Sequence, residues 1–331
     1  GPAWLSSLVV DGVIGGVGSM LSFIPILVIF FVFLGVLEDV GYMARAGYVM
    51  DRFMHLMGLH GKSFMPLFLG FGCNVPAVMG TRVIESRRGR LLATMIVPFV
   101  PCTARMMVLA FFTPLFFGAA APLVAWALVG LSLTVLALSG IAINKIAFGG
   151  QLSAFIMELP LYHVPNLRTI GILIWQRSVA FFKRAGTVIL VVSVLVWALS
   201  ALPTGEIETS FLAAFGRLLA PLGSLMGLSW KMMVALFASF VAKENALASL
   251  GVLYGAGGEQ GLAEILPQVL TPAAALGYLV VQMLFIPCVA TVATIFHETN
   301  SWRWTLFNLL FMLVVSFGLA IVVYQAVSLL A

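Results

Sequence analysis

Apolar residues fill this chain in long stretches that stop at small clusters of charge, and inside several stretches glycine and proline stand where a membrane helix carries leucine and valine. The run from Leu21 to Leu37 is at the short end of what crosses a bilayer, about 17 residues, and it ends on Glu38 and Asp39. The next apolar stretch, Phe64 to Gly80, has Arg45, Arg52 and Lys62 before it and Arg82, Arg87, Arg88 and Arg90 after it. Basic flanks face the cytoplasm, so both of its ends demand the same side. A re-entrant broken hairpin meets that demand; a simple span does not. Leu91 to Phe112 then runs outward through Pro98 and Pro101, and Leu123 to Ile143 returns to Lys145. A basic connection with Arg168, Arg177, Lys183 and Arg184 leads on to the span Ala185 to Leu202 and an amphipathic piece, Phe211 to Leu228. Met232 to Tyr254 is a second interrupted stretch, its flanks poor in basic residues, with Lys243-Glu244-Asn245 at its middle. Ala273 to Phe296 and Trp304 to Leu330 close the chain, giving six spans and two re-entrant segments.

The order span, broken segment, proline-cysteine helix, span therefore occurs twice. The first repeat covers residues 1–150, with its broken segment at 64–82 and its proline-cysteine helix at 91–112. Residues 151–184 form a cytoplasmic amphipathic connection, in which Glu158 to Pro165 is an irregular entry. The second repeat covers 185–331, with the matching parts at 232–254 and 273–296. Loop charges assign the repeats opposite starting sides, and inverted repeats whose discontinuous helices meet at the midplane are an architecture of secondary transporters. The expected fold class is an all-α polytopic membrane protein of two inverted repeats with broken, re-entrant helices.

Composition agrees with this class. Of 331 residues, 62% are apolar and only 9% charged, with a mean hydropathy of +1.13. The small basic excess reports topology, and no aromatic-basic groove for nucleic acid is present. Three cysteines, all in apolar context and odd in number, argue against a disulfide framework. Gly61-Lys62-Ser63 imitates the end of a phosphate-binding loop, but Leu56 stands where the first glycine belongs, so no nucleotide is expected to bind. His297-Glu298 begins a zinc-protease pattern whose second histidine is replaced by Ser301, so no enzyme is expected in this chain.

Breaking a helix at lipid depth exposes carbonyls that must find protein, water or an ion. Phe68 to Arg82 and Pro98 to Arg105 make such breaks with Gly70, Gly72, Asn74, Pro76 and Pro101, and each carries a thiol, Cys73 or Cys102. Cys288, in FIPCVAT, matches Cys102. The three thiols, with Asn74 and the loosened carbonyls as oxygen ligands, are candidates to line a cation route; the plain alternative is that each cysteine packs beside a kink. Glu244 is a further candidate, because an acid at membrane depth is costly, against a structural ion pair across the repeats. Glu38, Asp39 and Met43 are weaker candidates, and His163 weaker still.

GFGCNVPAVMGTR, PCTARM, LEDVGYMAR at Leu37 to Arg45, MELPLYHVP, AKEN and IPCVAT occur in one order across nearly the whole chain. At these residues the sequence resembles the membrane domain of the bacterial ferrous iron transport protein B family, with its paired Gate regions. That resemblance implies Fe(II) as the transported substrate, crossing the bacterial inner membrane through a multi-pass domain, and it strengthens Cys73 and Cys102 most. It implies an N-terminal cytoplasmic GTPase domain, a helical spacer and a first span outside this sequence, so the chain is expected to be an excised membrane core, gated by that GTPase and served by small cytoplasmic Feo accessory proteins. A homo-oligomer stays open. With the family's first span in place before Gly1, both termini fall outside. Two other readings remain: a nucleoside or other small-solute carrier, and a non-transporting assembly platform in the membrane.

Overall fold

The computed structural model describes residues 15–149, 162, 165–181, 186–188, 190–192, 194, 211–241, 243, 245–256 and 258–330. Helices make up the fold, with no strand among the described residues. Among the described residues, three stretches are long and apolar enough to cross a membrane: Arg87–Ala147, Pro272–Thr299 and Trp302–Leu329. The expected span 185–202 lies mostly outside the described residues, as do Glu158, His163 and Glu244.

Helix α1 (Gly15–Asp39) is continuous through Pro25 and longer than the apolar run inside it. Its 25 residues give a length of about 37 Å. It stops where Gly41 takes a left-handed φ of 82°, a conformation that costs glycine nothing, and α2 (Tyr42–Leu56) follows.

The stretch Phe64 to Gly80 folds as the sequence pattern requires. Helix α3 (Phe64–Gly70) and α4 (Asn74–Gly80) double back on each other. Their open ends meet where Gly80 lies against Leu69 and Pro66, and their tip is Phe71-Gly72-Cys73. At that tip the amides of Gly72 and Cys73 both donate to the Leu69 carbonyl and finish α3. A Cβ on Gly72 would enter the Phe30 ring, and one on Gly70 would come within 2.8 Å of Val100. These two glycines are therefore close-approach positions that let the tip pack against α1 and against the next break.

That break follows α5 (Arg87–Ile96). A tight turn at Val97–Phe99 ends in extended Val100, whose α conformation the following Pro101 disfavours, and α6 (Thr103–Phe117) restarts beyond Cys102. Helix α7 (Ala121–Phe148) packs back along α5 and α6. Helix α8 (Leu167–Phe181) lies on α1, fixed by Arg177 to Glu38 at 2.8 Å and by the Asn166 amide to Asp39 at 2.7 Å.

After α9 (Phe211–Ser224) comes a second hairpin, α10 (Trp230–Val241) with α11 (Asn245–Leu253). Its open ends are tied by Lys231 Nζ to the Leu253 carbonyl at 3.0 Å and by Ser229 to the Tyr254 hydroxyl at 3.0 Å, which leaves Lys243 at the tip. Helix α12 (Glu259–Val269) leads to α13 (Pro272–Leu284), which breaks at Phe285 to Cys288 and restarts as α14 (Val289–Thr299). Helix α15 (Trp302–Leu330) packs along both α13 and α14. One hydrophobic core runs through both hairpins and both breaks.

Candidate functional site

The three thiols occupy the same structural position. Cys73, Cys102 and Cys288 are each the last extended residue before a helix restarts, with ψ of 132°, 165° and 155°. Each is half-buried and none is in a disulfide. A helix start leaves amides unsatisfied and carries the positive end of the helix dipole, so a sulfur or oxygen placed there meets a field that favours electron-rich atoms.

Separate contacts draw the breaks together. Thr103 donates through its amide (3.3 Å) and its hydroxyl (2.9 Å) to the Gly72 carbonyl, fixing the start of α6 against the first hairpin tip. Val75 of α4 and Ala290 of α14 bury each other, and Cys73, Met79 and Cys288 pack around them. Arg105, fully buried, donates to the carbonyls of Pro98 (2.8 Å) and Val100 (3.5 Å) in its own break and of Phe285 (2.7 Å) in the other. A buried guanidinium is costly unless its donors are used. Here Nη1 and Nη2 take up carbonyls that the two breaks released, while Nε is left without a partner.

Phe285 is the hinge point of this cluster. Its ring meets Phe237 of α10 and Phe317 of α15 edge-on, and Lys243 Nζ sits 4.9 Å from its centroid. Asn74, the first residue of α4, is buried and its Oδ1 has no hydrogen-bond partner. Lower on the same pair of helices, Arg82 beyond α4 makes a two-pronged ion pair with Glu298 of α14 at 2.7 and 2.8 Å.

Other sequence candidates lie elsewhere. Glu38 is engaged by Arg177 and Asp39 by Asn166, both against α8, and Met43 is packed in the core. Among the described residues no three His, Cys, Asp or Glu side chains gather closely enough to hold a metal by themselves. Arg105 was not a sequence candidate. Its signal was there: an arginine in an apolar run, four residues beyond a proline and with no acid nearby, is a charge at membrane depth in need of acceptors. At the outer edge of the cluster, the open end of the first hairpin is held by Lys62 to Glu85 at 2.8 Å, which keeps that carboxyl below its usual range. Burial, and then Lys62, push the nearby His60 imidazole below its ordinary value.

Fold and site together define an all-α membrane domain built on interrupted helices. The family model described as "Gate: Nucleoside recognition" matches residues 20–116 and again 182–302, and the one described as "Ferrous iron transport protein B C terminus" matches 125–177. The chain belongs to the Gate-containing ferrous iron transport protein B family. It is 40% identical over 330 residues to the Fe(2+) transporter FeoB of Staphylococcus aureus (strain COL), covering 97% of this chain and 49% of that protein. It is 36% identical over 332 residues to the Fe(2+) transporter FeoB of Methanocaldococcus jannaschii, covering 97% and 49%. A Porphyromonas gingivalis protein named "Fe(2+) transport protein A/Fe(2+) transporter FeoB fusion protein" is 32% identical over 370 residues, covering 96% and 44%. The chain spans about half the length of the curated relatives it matches. No solved structure matches it at a significant level.

Proposed function

We propose that this chain forms the membrane route for Fe(II) in a ferrous iron transporter. The observation that carries the reading is the repeated placement of a thiol at the restart of an interrupted helix, at Cys73, Cys102 and Cys288, with the unsatisfied Oδ1 of Asn74 beside the first. Fe(II) is a borderline cation that accepts sulfur and oxygen ligands with modest affinity. A route should hold it strongly enough to strip some water and weakly enough to let it go. Thiols and amide oxygens handed out one or two at a time suit that balance better than a closed cage. The relatives named Fe(2+) transporters point the same way.

In this reading the two halves are inverted repeats, 1–150 and 185–331, joined by 151–184. Support comes from the Gate model matching once in each half and from the like order of parts: each hairpin tip touches its own half's break, through Thr103 and Gly72 in one and through Lys243 and Phe285 in the other. In the sequence Glu244 precedes Asn245 as Cys73 precedes Asn74, which makes Glu244 the counterpart of Cys73 in this reading. The transporter is a multi-pass protein of the bacterial inner membrane, and the membrane chain described here carries the route, with no catalytic role of its own. It is gated by a GTPase domain of the intact protein and assisted by a small Feo partner, for which the Porphyromonas gingivalis fusion is the support.

The Gate description, nucleoside recognition, favours one rival, a nucleoside carrier. Uptake of radiolabelled Fe(II) and of labelled uridine, measured in cells making the natural full-length protein, separates them. Iron accumulation that falls severalfold in Cys73→Ser and Cys102→Ser at equal protein level supports the iron route; uridine accumulation without iron uptake overturns it.

A further inference from the structure

Helices α4 and α14 come from opposite ends of the chain and pack side by side, with a thiol at the start of each. Positions at helical spacing run down both. On α4 they are Val75 and Met79, followed by Arg82 in the single turn that continues the helix; on α14 they are Ala290, Thr294 and Glu298. Beside Cys73 and Cys288 the seam is apolar: Val75 and Ala290 bury each other and Met79 packs against them. Thr294 is buried too, its hydroxyl turned back to the Ala290 carbonyl at 2.8 Å. The seam ends about 12 Å along α14 from Ala290, where Arg82 Nε and Nη2 donate to the two Glu298 oxygens at 2.8 and 2.7 Å. Arg87, Arg88 and Arg90 follow Arg82 closely in the chain and mark this end as the cytoplasmic one.

The partners of that ion pair are unequally placed. Arg82 is 52% exposed and can turn into water, whereas the Glu298 side chain, 6% exposed, stays on the flank of α14. A two-pronged pair fixes geometry well, yet one with a solvated partner contributes little free energy, so it holds the helices in register without locking them. A carboxylate is also a ligand that a borderline divalent cation accepts. We infer that the seam between α4 and α14 is the cytoplasmic exit of the route, that Arg82 and Glu298 are its latch, and that a departing divalent cation takes the place of the Arg82 guanidinium on Glu298. While the latch is closed, Val75, Met79 and Ala290 keep water and ions out of the seam. The inference rests on the iron-route reading above and adds to it where the metal leaves and which two side chains hold that exit shut.

The test uses inside-out membrane vesicles from cells making the natural full-length protein, so that a membrane-impermeant maleimide reaches it from the cytoplasmic side. Labelling of Cys73 and Cys288, read by mass spectrometry, should rise about fivefold in Arg82→Gln. It should return to the unsubstituted level in the double exchange Arg82→Glu with Glu298→Arg. Labelling in Arg82→Gln within about twofold of the unsubstituted protein overturns the inference, and so does a double exchange that labels as fast as Arg82→Gln. Lys62→Gln breaks another ion pair of the same hairpin, outside the seam, and should leave labelling unchanged; an equal rise there marks general loosening and also overturns the inference. Fe(II) flux into proteoliposomes with a trapped iron-sensitive dye then tests the carboxylate. Arg82→Gln and Glu298→Gln both open the latch, but only the first keeps the carboxylate, so it should carry Fe(II) severalfold faster; equal rates overturn the exchange at Glu298. Labelling that rises as expected while no form of the protein carries Fe(II) overturns the iron reading and leaves the seam as an exit. Fe(II) flux with labelling indifferent to Arg82 overturns the inference and leaves the iron route.

Discussion

The two proline-cysteine breaks present the same thiol at the same point of a restarting helix, yet they satisfy their loosened backbone by different means. In the first, Arg105, the third residue of its helix, reaches back seven and five residues to the Pro98 and Val100 carbonyls of its own break. In the second, the position three beyond the cysteine is Thr291, whose hydroxyl lies 3.2 Å from Cys288 Sγ. The carbonyl of Phe285 is instead served from the first half by Arg105, across 180 residues of sequence. One arginine thus holds both breaks. The two breaks are therefore not independent, and the first carries the support of the second.

The largest expected effect follows from that dependence. Arg105→Met leaves three buried carbonyls without their donor, and at about 1–3 kcal/mol for each unsatisfied group the loss should be at least about 3 kcal/mol; a thermal-melt assay in detergent should show little folded protein. Arg105→Lys, with fewer donors, should fall between. If Arg105→Met melts like the unsubstituted protein, the two breaks stand without their staple.

Next in size come the thiols. Cys102→Ser and Cys73→Ser should cut Fe(II) uptake severalfold with unchanged melting, whereas a cysteine that merely packs beside a kink would show the reverse. Smaller again is the pair Arg82–Glu298, which joins the far ends of α4 and α14. Arg82 is 52% exposed and Glu298 only 6%, so breaking the pair with Arg82→Ala should destabilise by about 1 kcal/mol. The double exchange Arg82→Glu with Glu298→Arg should restore most of it, and failure of the exchange would mean that the pair does not tie the halves. The smallest effect concerns His60. Its pKa is lowered in the folded protein, so the stability it contributes is fully present above the ordinary imidazole value and is lost as pH falls below it. The protection of amides in residues 57–63 against hydrogen exchange, taken relative to their intrinsic rates at each pH, should therefore fall on acidification, and His60→Gln should remove that dependence.

The pattern of charge made much of this plan legible. Basic residues on both sides of Phe64 to Gly80, together with Gly70, Gly72 and Asn74 inside it, demanded a hairpin, and a hairpin is present. Lys243 marked the second tip in the same way. Length was less legible: α1 (Gly15–Asp39) is longer than the apolar run Leu21 to Leu37 and takes in Glu38 and Asp39, which Arg177 and the Asn166 amide receive. What sequence could not supply was partnership at long range. Arg105 with Phe285 and Arg82 with Glu298 are separated by 180 and 216 residues, and local pattern holds no information on such pairs.

The account turns on iron meeting sulfur at the restarted helices. An anomalous-scattering map from crystals of the natural full-length protein, soaked anaerobically with Fe(II), should show iron within bonding distance of at least one of Cys73, Cys102 and Cys288. Iron bound only at Glu38 and Asp39, with the three thiols bare, would contradict it.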